Sequence, residues 1–152
     1  VLGVHELRTR RMAHRALVGA HVLVDPRVSV SEGRRMGGRA RQRVLEAHPE
    51  VADVLVHIDA EEDQALMSNS ANLPDRDVLL AHLNHLLGEE AGGIEKTVLH
   101  YLGNRVEAEI FVLPQTCLDD ARMARLEQHI AAQLDKDPYI RSISLNCRVA
   151  PK

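Results

Sequence analysis

By hydrophobic period, residues 4–12 and 17–24 read as strands, joined by a short turn at Ala13-His14-Arg15 and closed by Asp25-Pro26, which predicts a β-hairpin. Ser29-Val30-Ser31-Glu32 then offers a helix start, with Ser29 or Ser31 as the cap, and His48-Pro49 offers a stop. Residues 52–60, with Val54, Leu55, Val56 and Ile58, predict a third strand, so the order is β-β-α-β. Residues 60–74 turn polar and acidic without a sustained period, as a linker does. A helix follows over residues 75–90, capped by Asp75 and stopped by Gly92-Gly93, with Val78, Leu79, His82, Leu83, Leu86 and Leu87 on one side.

After that helix the first pattern returns. A constant, gap-free offset of 89 places Leu17, Leu23, Pro49, Val51, Val54 and Val56 on Val106, Val112, Pro138, Ile140, Ile143 and Leu145. This reads as an internal duplication. The second copy begins with its helix and the first with its strand, so a matching helix is expected upstream of Val1. The expected fold class is α+β: two tandem ferredoxin-like open-faced sandwiches, β-β-α-β then α-β-β-α-β, each with helices on one face of a small antiparallel sheet. The expected divisions are residues 1–62, a linker over 63–74, and a second, divergent copy over 75–152.

Composition narrows the function. With 45% hydrophobic and 27% charged residues the chain is ordinary globular material, and at 2% aromatic with no Trp it lacks stacking platforms for single-stranded nucleic acid. The Arg-rich first third is neutral overall, ten Arg facing ten Asp plus Glu over residues 1–63, the balance of a solvated helix face rather than a phosphate-binding patch. Nucleic acid is therefore not an expected partner. No apolar run approaches the ~20 residues of a membrane span. Cys117 and Cys147 have neither zinc-knuckle spacing nor the density of a disulfide scaffold, which fits a reducing compartment. There is no G-x-S-x-G, P-loop, H-E-x-x-H or G-x-G-x-x-G, and the run Glu61-Glu62-Asp63 is of the solvated kind, so an enzyme is not expected.

Nine histidines are many for 152 residues. Strand alternation puts His21 on a face with Leu17, Gly19 and Leu23, and His57 on a face with Leu55 and Asp59. Two imidazoles and a carboxylate suit Zn²⁺ and related ions, with Asp59 as a ligand or as the orienter of a histidine. The same residues also read as a half-buried strand histidine and a polar strand end. His82 and His85, three apart on one helix, could pinch a metal, or His82 could be packing on the apolar stripe.

The stretch Gly3-Val4-His5-Glu6-Leu7-Arg8-Thr9-Arg10, with His21 before Val24-Asp25-Pro26, the Ser31-Glu32 helix start and the closing Val56-His57-Ile58-Asp59, resembles the C-terminal cytoplasmic domain of cation diffusion facilitator transporters over residues 1–62. The resemblance implies a soluble regulatory domain on the cytoplasmic side of the inner membrane, below a transmembrane divalent metal/proton antiporter that is part of the same protein. It implies a homodimer and a cation site at His21, His57 and Asp59, with Zn²⁺ first and Fe, Mn, Co or Cd as other occupants. Where the family often has a further His early in the helix, this chain has Gly33 or Arg34, and a guanidinium there would oppose a cation. The second copy places Ile110, Asn146 and Arg148 at the ligand positions, which implies a structural or dimer-forming role. The alternative is a purely structural dimerisation platform with a decayed metal site.

Overall fold

The computed structural model describes residues 1–62, 72–117 and 119–147. The expected linker over 63–74 therefore lies largely outside the described residues. The chain divides into two compact units, Val1–Met67 and Ser68–Lys152.

In the first unit β1 (Gly3–Met12) and β2 (Arg15–Leu23) form an antiparallel hairpin, α1 (Val30–Ala47) crosses over, and β3 (Val51–Asp59) returns beside β2. The sheet order is β1-β2-β3. β2 and β3 run parallel, which corrects the expectation of an antiparallel sheet: a helical crossover returns the chain to the end where the preceding strand began. Ser29 caps α1, its Oγ accepting the Glu32 amide at 3.2 Å. The residues α1 buries are two glycines, Gly33 and Gly37. A Cβ at Gly33 would stand 3.2 Å from Ile58, so the absent side chains let the helix lie close on β3. Opposite, Ala20, Val22, Val24, Val51 and Val54 are buried.

The second unit repeats this order behind a leading helix. It comprises α2 (Arg76–Leu87), a 3₁₀ turn (Gly88–Gly93), β4 (Ile94–Leu102), β5 (Arg105–Val112), the single turn α3 (Pro114–Cys117), α4 (Asp120–Leu134) and β6 (Ile140–Cys147). Its sheet order is β4-β5-β6, with β4 antiparallel and β6 parallel to β5. α2 stops at Gly88, which takes φ +58, and not at Gly92-Gly93 as the composition suggested. Leu79 and Leu83 pack on Val106, Ala108 and Ile140; Leu87 packs on Ile110, Val112, Leu126 and Ile130. Val78, placed on the apolar stripe by the sequence, faces solvent.

Two further expectations are corrected. Met12 pairs with Arg15 as Leu102 pairs with Arg105, and Ala16 pairs with Val51 as Val106 pairs with Ile140, so the offset between units is 90 through the hairpin and 89 only in the last strand. The crossover of the second unit is one residue shorter, and the counterpart of His21 is Phe111, not Ile110. Ile110 is fully buried on the helix side, the opposite face of the sheet. Cys117 and Cys147 are joined in a disulfide between α3 and the end of β6, a pairing that 30 residues of separation do not advertise.

Candidate metal centre

Within the first unit α1 lies on one face of the sheet, and among the described residues of that unit no helix lies on the other. In β2 the buried Ala20 and Val22 point toward α1, so His21 between them points to the opposite face. Parallel register sets His57 beside His21 and Asp59 beside Leu23, and antiparallel register sets His5 directly across from His21. Four chemistry-bearing side chains thus share one face.

Asp59 is the centre of the group. Its Oδ2 lies 2.8 Å from His21 Nδ1 and 3.3 Å from His5 Nε2. The side chains of His5 and Asp59 are 13% and 16% exposed, dry enough to strengthen these contacts and open enough to admit an ion. The His57 ring stacks on His21 with centroids 4.6 Å apart, and the His5 ring is tilted to His21 at 5.5 Å. One ligand atom each from His5, His21 and Asp59 falls within 4.8 Å of the others, the only such group among the described residues.

Of the three ligands expected from the sequence, His21 and Asp59 are brought together. His57 stands alongside as a stacked ring, with its nitrogens outside the converged set. His5 takes the third place. No period in the sequence points to it, because its position depends on cross-strand register at an edge strand.

A bulge follows His5. Pairing jumps from His5 opposite His21 to Arg8 opposite Gly19, and Glu6 adopts φ +48, uncommon for a side-chain-bearing residue. The kink carries Glu6 Oε2 to 3.9 Å from His21 Nε2 and 2.8 Å from the Arg8 guanidinium. The face therefore offers three imidazoles and two carboxylates, a donor set that suits borderline divalent cations. Arg34 lines a hollow with Asp25, Ser29, Gly33 and Ile58 on the helix side of the sheet, so within this unit its charge does not face the imidazoles.

The second unit keeps the frame without the ligands. Lys96 stands across from Phe111, where His5 stands across from His21, and its ammonium lies 5.5 Å from the ring centroid. Asn146 occupies the His57 place; Arg148 lies outside the described residues.

Residues 1–61 match the family described as "Cation efflux protein, cytoplasmic domain". The chain is also 30% identical over 112 residues to metal tolerance protein C1 of Arabidopsis thaliana, a match covering 74% of this chain and 22% of that protein. The chain thus spans about a fifth of that relative's length. A match of 112 residues also runs past residue 61 into the second unit. The first unit thus matches the cytoplasmic domain of the cation efflux family, and the chain is similar over most of its length to a metal tolerance protein.

Proposed function

We propose that the first unit is a cation-sensing and dimerising regulatory module of a divalent metal/proton antiporter, reading metal on the cytoplasmic side of the membrane. The observation that carries this reading is the convergence of His5 and His21 on Asp59, with His57 stacked beside them, on the sheet face opposite α1. His5, His21 and Asp59 supply the ligands, and His57 joins by a rotation about its side-chain torsions. Zn²⁺ fits this donor set best, and Fe, Mn, Co and Cd ions share its chemistry. Ligating imidazoles are neutral, so an ion competes with protons for this donor set and occupancy falls in acid.

Dimerisation is supported by where the first unit leaves apolar surface. Leu55, 63% exposed, lies two residues from His57 on the same strand and face, so a second copy seated there would cover both. Metal then acts by binding one arrangement of the two copies more tightly than another.

A further part of this reading concerns the helix side. Leu7, Thr9, Val18 and Val44 line a groove of about 660 Å³ there, where the second unit places α2. We assign that groove to a leading helix, the counterpart of α2, which makes the two units copies of one module and the second a structural one.

The reading is tested by titrating Zn²⁺ calorimetrically into the chain and into His21→Ala and His57→Ala variants, with association followed by sedimentation. Micromolar or tighter binding that weakens at least tenfold in both variants, with metal-promoted association, is the expected result. Unchanged binding in His21→Ala rejects the site. Dimers that form equally well without metal, with no ion bound, favour the purely structural platform.

A further inference from the structure

The second unit has lost the sheet-face ligands, but histidines gather elsewhere in it. α2 presents His82 and His85, three residues apart and so on one side of the helix. α4 presents His129. Together with Gln133, Asp137 and Gly88 they line a cavity of about 220 Å³.

The hydrogen bonds around this cavity fix which nitrogens are available. Asp137, 8% exposed, is the one buried charged residue among those described. Its Oδ1 accepts the amides of Tyr139 at 2.9 Å and Ile140 at 2.7 Å, and its Oδ2 lies 2.5 Å from His82 Nε2. Burial pushes its carboxyl up, but the Ile140 amide, the His82 imidazole and the Tyr139 amide outweigh that and hold it below the usual carboxylate range. The Asp137 contact engages His82 Nε2 and leaves Nδ1 as the nitrogen open to a ligand. His129 Nε2 lies 2.8 Å from the Leu86 carbonyl oxygen, an acceptor, so Nε2 donates and Nδ1 is again the nitrogen open to a ligand. Imidazoles locked in one tautomer by a carboxylate or a carbonyl are the usual state of histidines that bind metal through the other nitrogen.

We infer that this cavity is a second metal site for a borderline divalent cation of the Zn²⁺ type, with His82, His129 and His85 as ligands and Asp137 as the residue that orients His82. The three imidazoles line the cavity, but their ligand atoms do not fall within 4.8 Å of one another as those of His5, His21 and Asp59 do. His85 is the exposed member, in the last turn of α2, and ion capture draws it inward by rotation. Three imidazoles and a water complete a tetrahedral shell. This site shares no residue with the sheet face of the first unit.

The test counts ions on the full chain, using Zn²⁺ in equilibrium dialysis and Co²⁺ as an absorbing probe. The background is a variant with His5, His21 and His57 all changed to Ala. One ion per chain in that background, with tetrahedral Co²⁺ absorption that falls at least tenfold in affinity on adding His85→Ala or His129→Ala, is the expected result. His85 is exposed, so its replacement leaves the melting temperature of the metal-free chain unchanged and separates lost ligation from lost folding. No ion in the triple variant while the parent binds one overturns this site and leaves the first intact. One ion in both, sensitive to His85→Ala, upholds this site and removes the first. Binding indifferent to both His85→Ala and His129→Ala, or no ion on the parent chain, overturns the inference.

Discussion

Ala13 and Gly103 hold the same place in two hairpins, the first residue of each two-residue turn, at φ 55° and 61°. Glycine takes that conformation at no steric cost and alanine does not, although glycine also loses more freedom on folding. The net of the two terms is a gain: Ala13→Gly is expected to stabilise the first unit by about 0.5–1 kcal/mol, read as a higher urea midpoint with unchanged slope. At Asp137 the sign follows from the shift. Its folded pKa lies below the ordinary value of about 4, so its contribution is fully present above pH 4 and is lost as pH falls through the folded pKa. Asp137→Asn is expected to make stability of the second unit flatter between roughly pH 5 and pH 2 than in the parent, measured by denaturant midpoints across that range. His21 and Asp59 were legible because alternation alone fixes the face of a strand residue. The pairing of His82 with Asp137 was not, since 55 residues separate them and only tertiary packing of α2 on the second sheet brings them together.

Among the elements, α1 was readable at both ends, from Ser29 and from His48-Pro49, yet its core face was not readable as such. A helix that buries Gly33 and Gly37 has no apolar stripe to recognise. Gly38 differs from its neighbour, because a Cβ there meets nothing within 4 Å. Gly38→Ala is therefore expected to stabilise by up to about 1 kcal/mol through helix propensity alone, whereas Gly33→Val, which must displace Ile58, is expected to destabilise; paired denaturation curves decide both. The parallel run of β3 follows from the helical crossover alone. The unit-to-unit register slipped for a plainer cause: one residue lost between β5 and β6 shifts every hairpin position without disturbing the Pro49 and Pro138 alignment, and in a strand one residue is the whole difference between faces.

At the scale of the whole molecule the two units are unequal in core. The second buries Leu79, Leu83, Leu87, Ile110, Leu126, Ile130 and Ile140 and closes a disulfide, while the apolar side chains the first buries among its described residues are valines and an alanine, and it exposes Val4, Leu7, Met12 and Leu55. Leucines and isoleucines bury more apolar area per residue than valine, so the second unit is expected to melt at the higher temperature. On the dimer proposed above, the first unit gains stability with concentration by mass action, whereas a disulfide acts on the unfolded chain whatever the concentration. Calorimetry of the full chain is expected to resolve two transitions. The lower one rises with protein concentration and with Zn²⁺. The upper one ignores concentration but falls when reductant opens Cys117–Cys147, a cross-link spanning 30 residues and worth about 3.6 kcal/mol on loop-closure grounds. If reductant shifts the lower transition and concentration the upper, both the sites of association and the division of stability between the units are assigned the wrong way round.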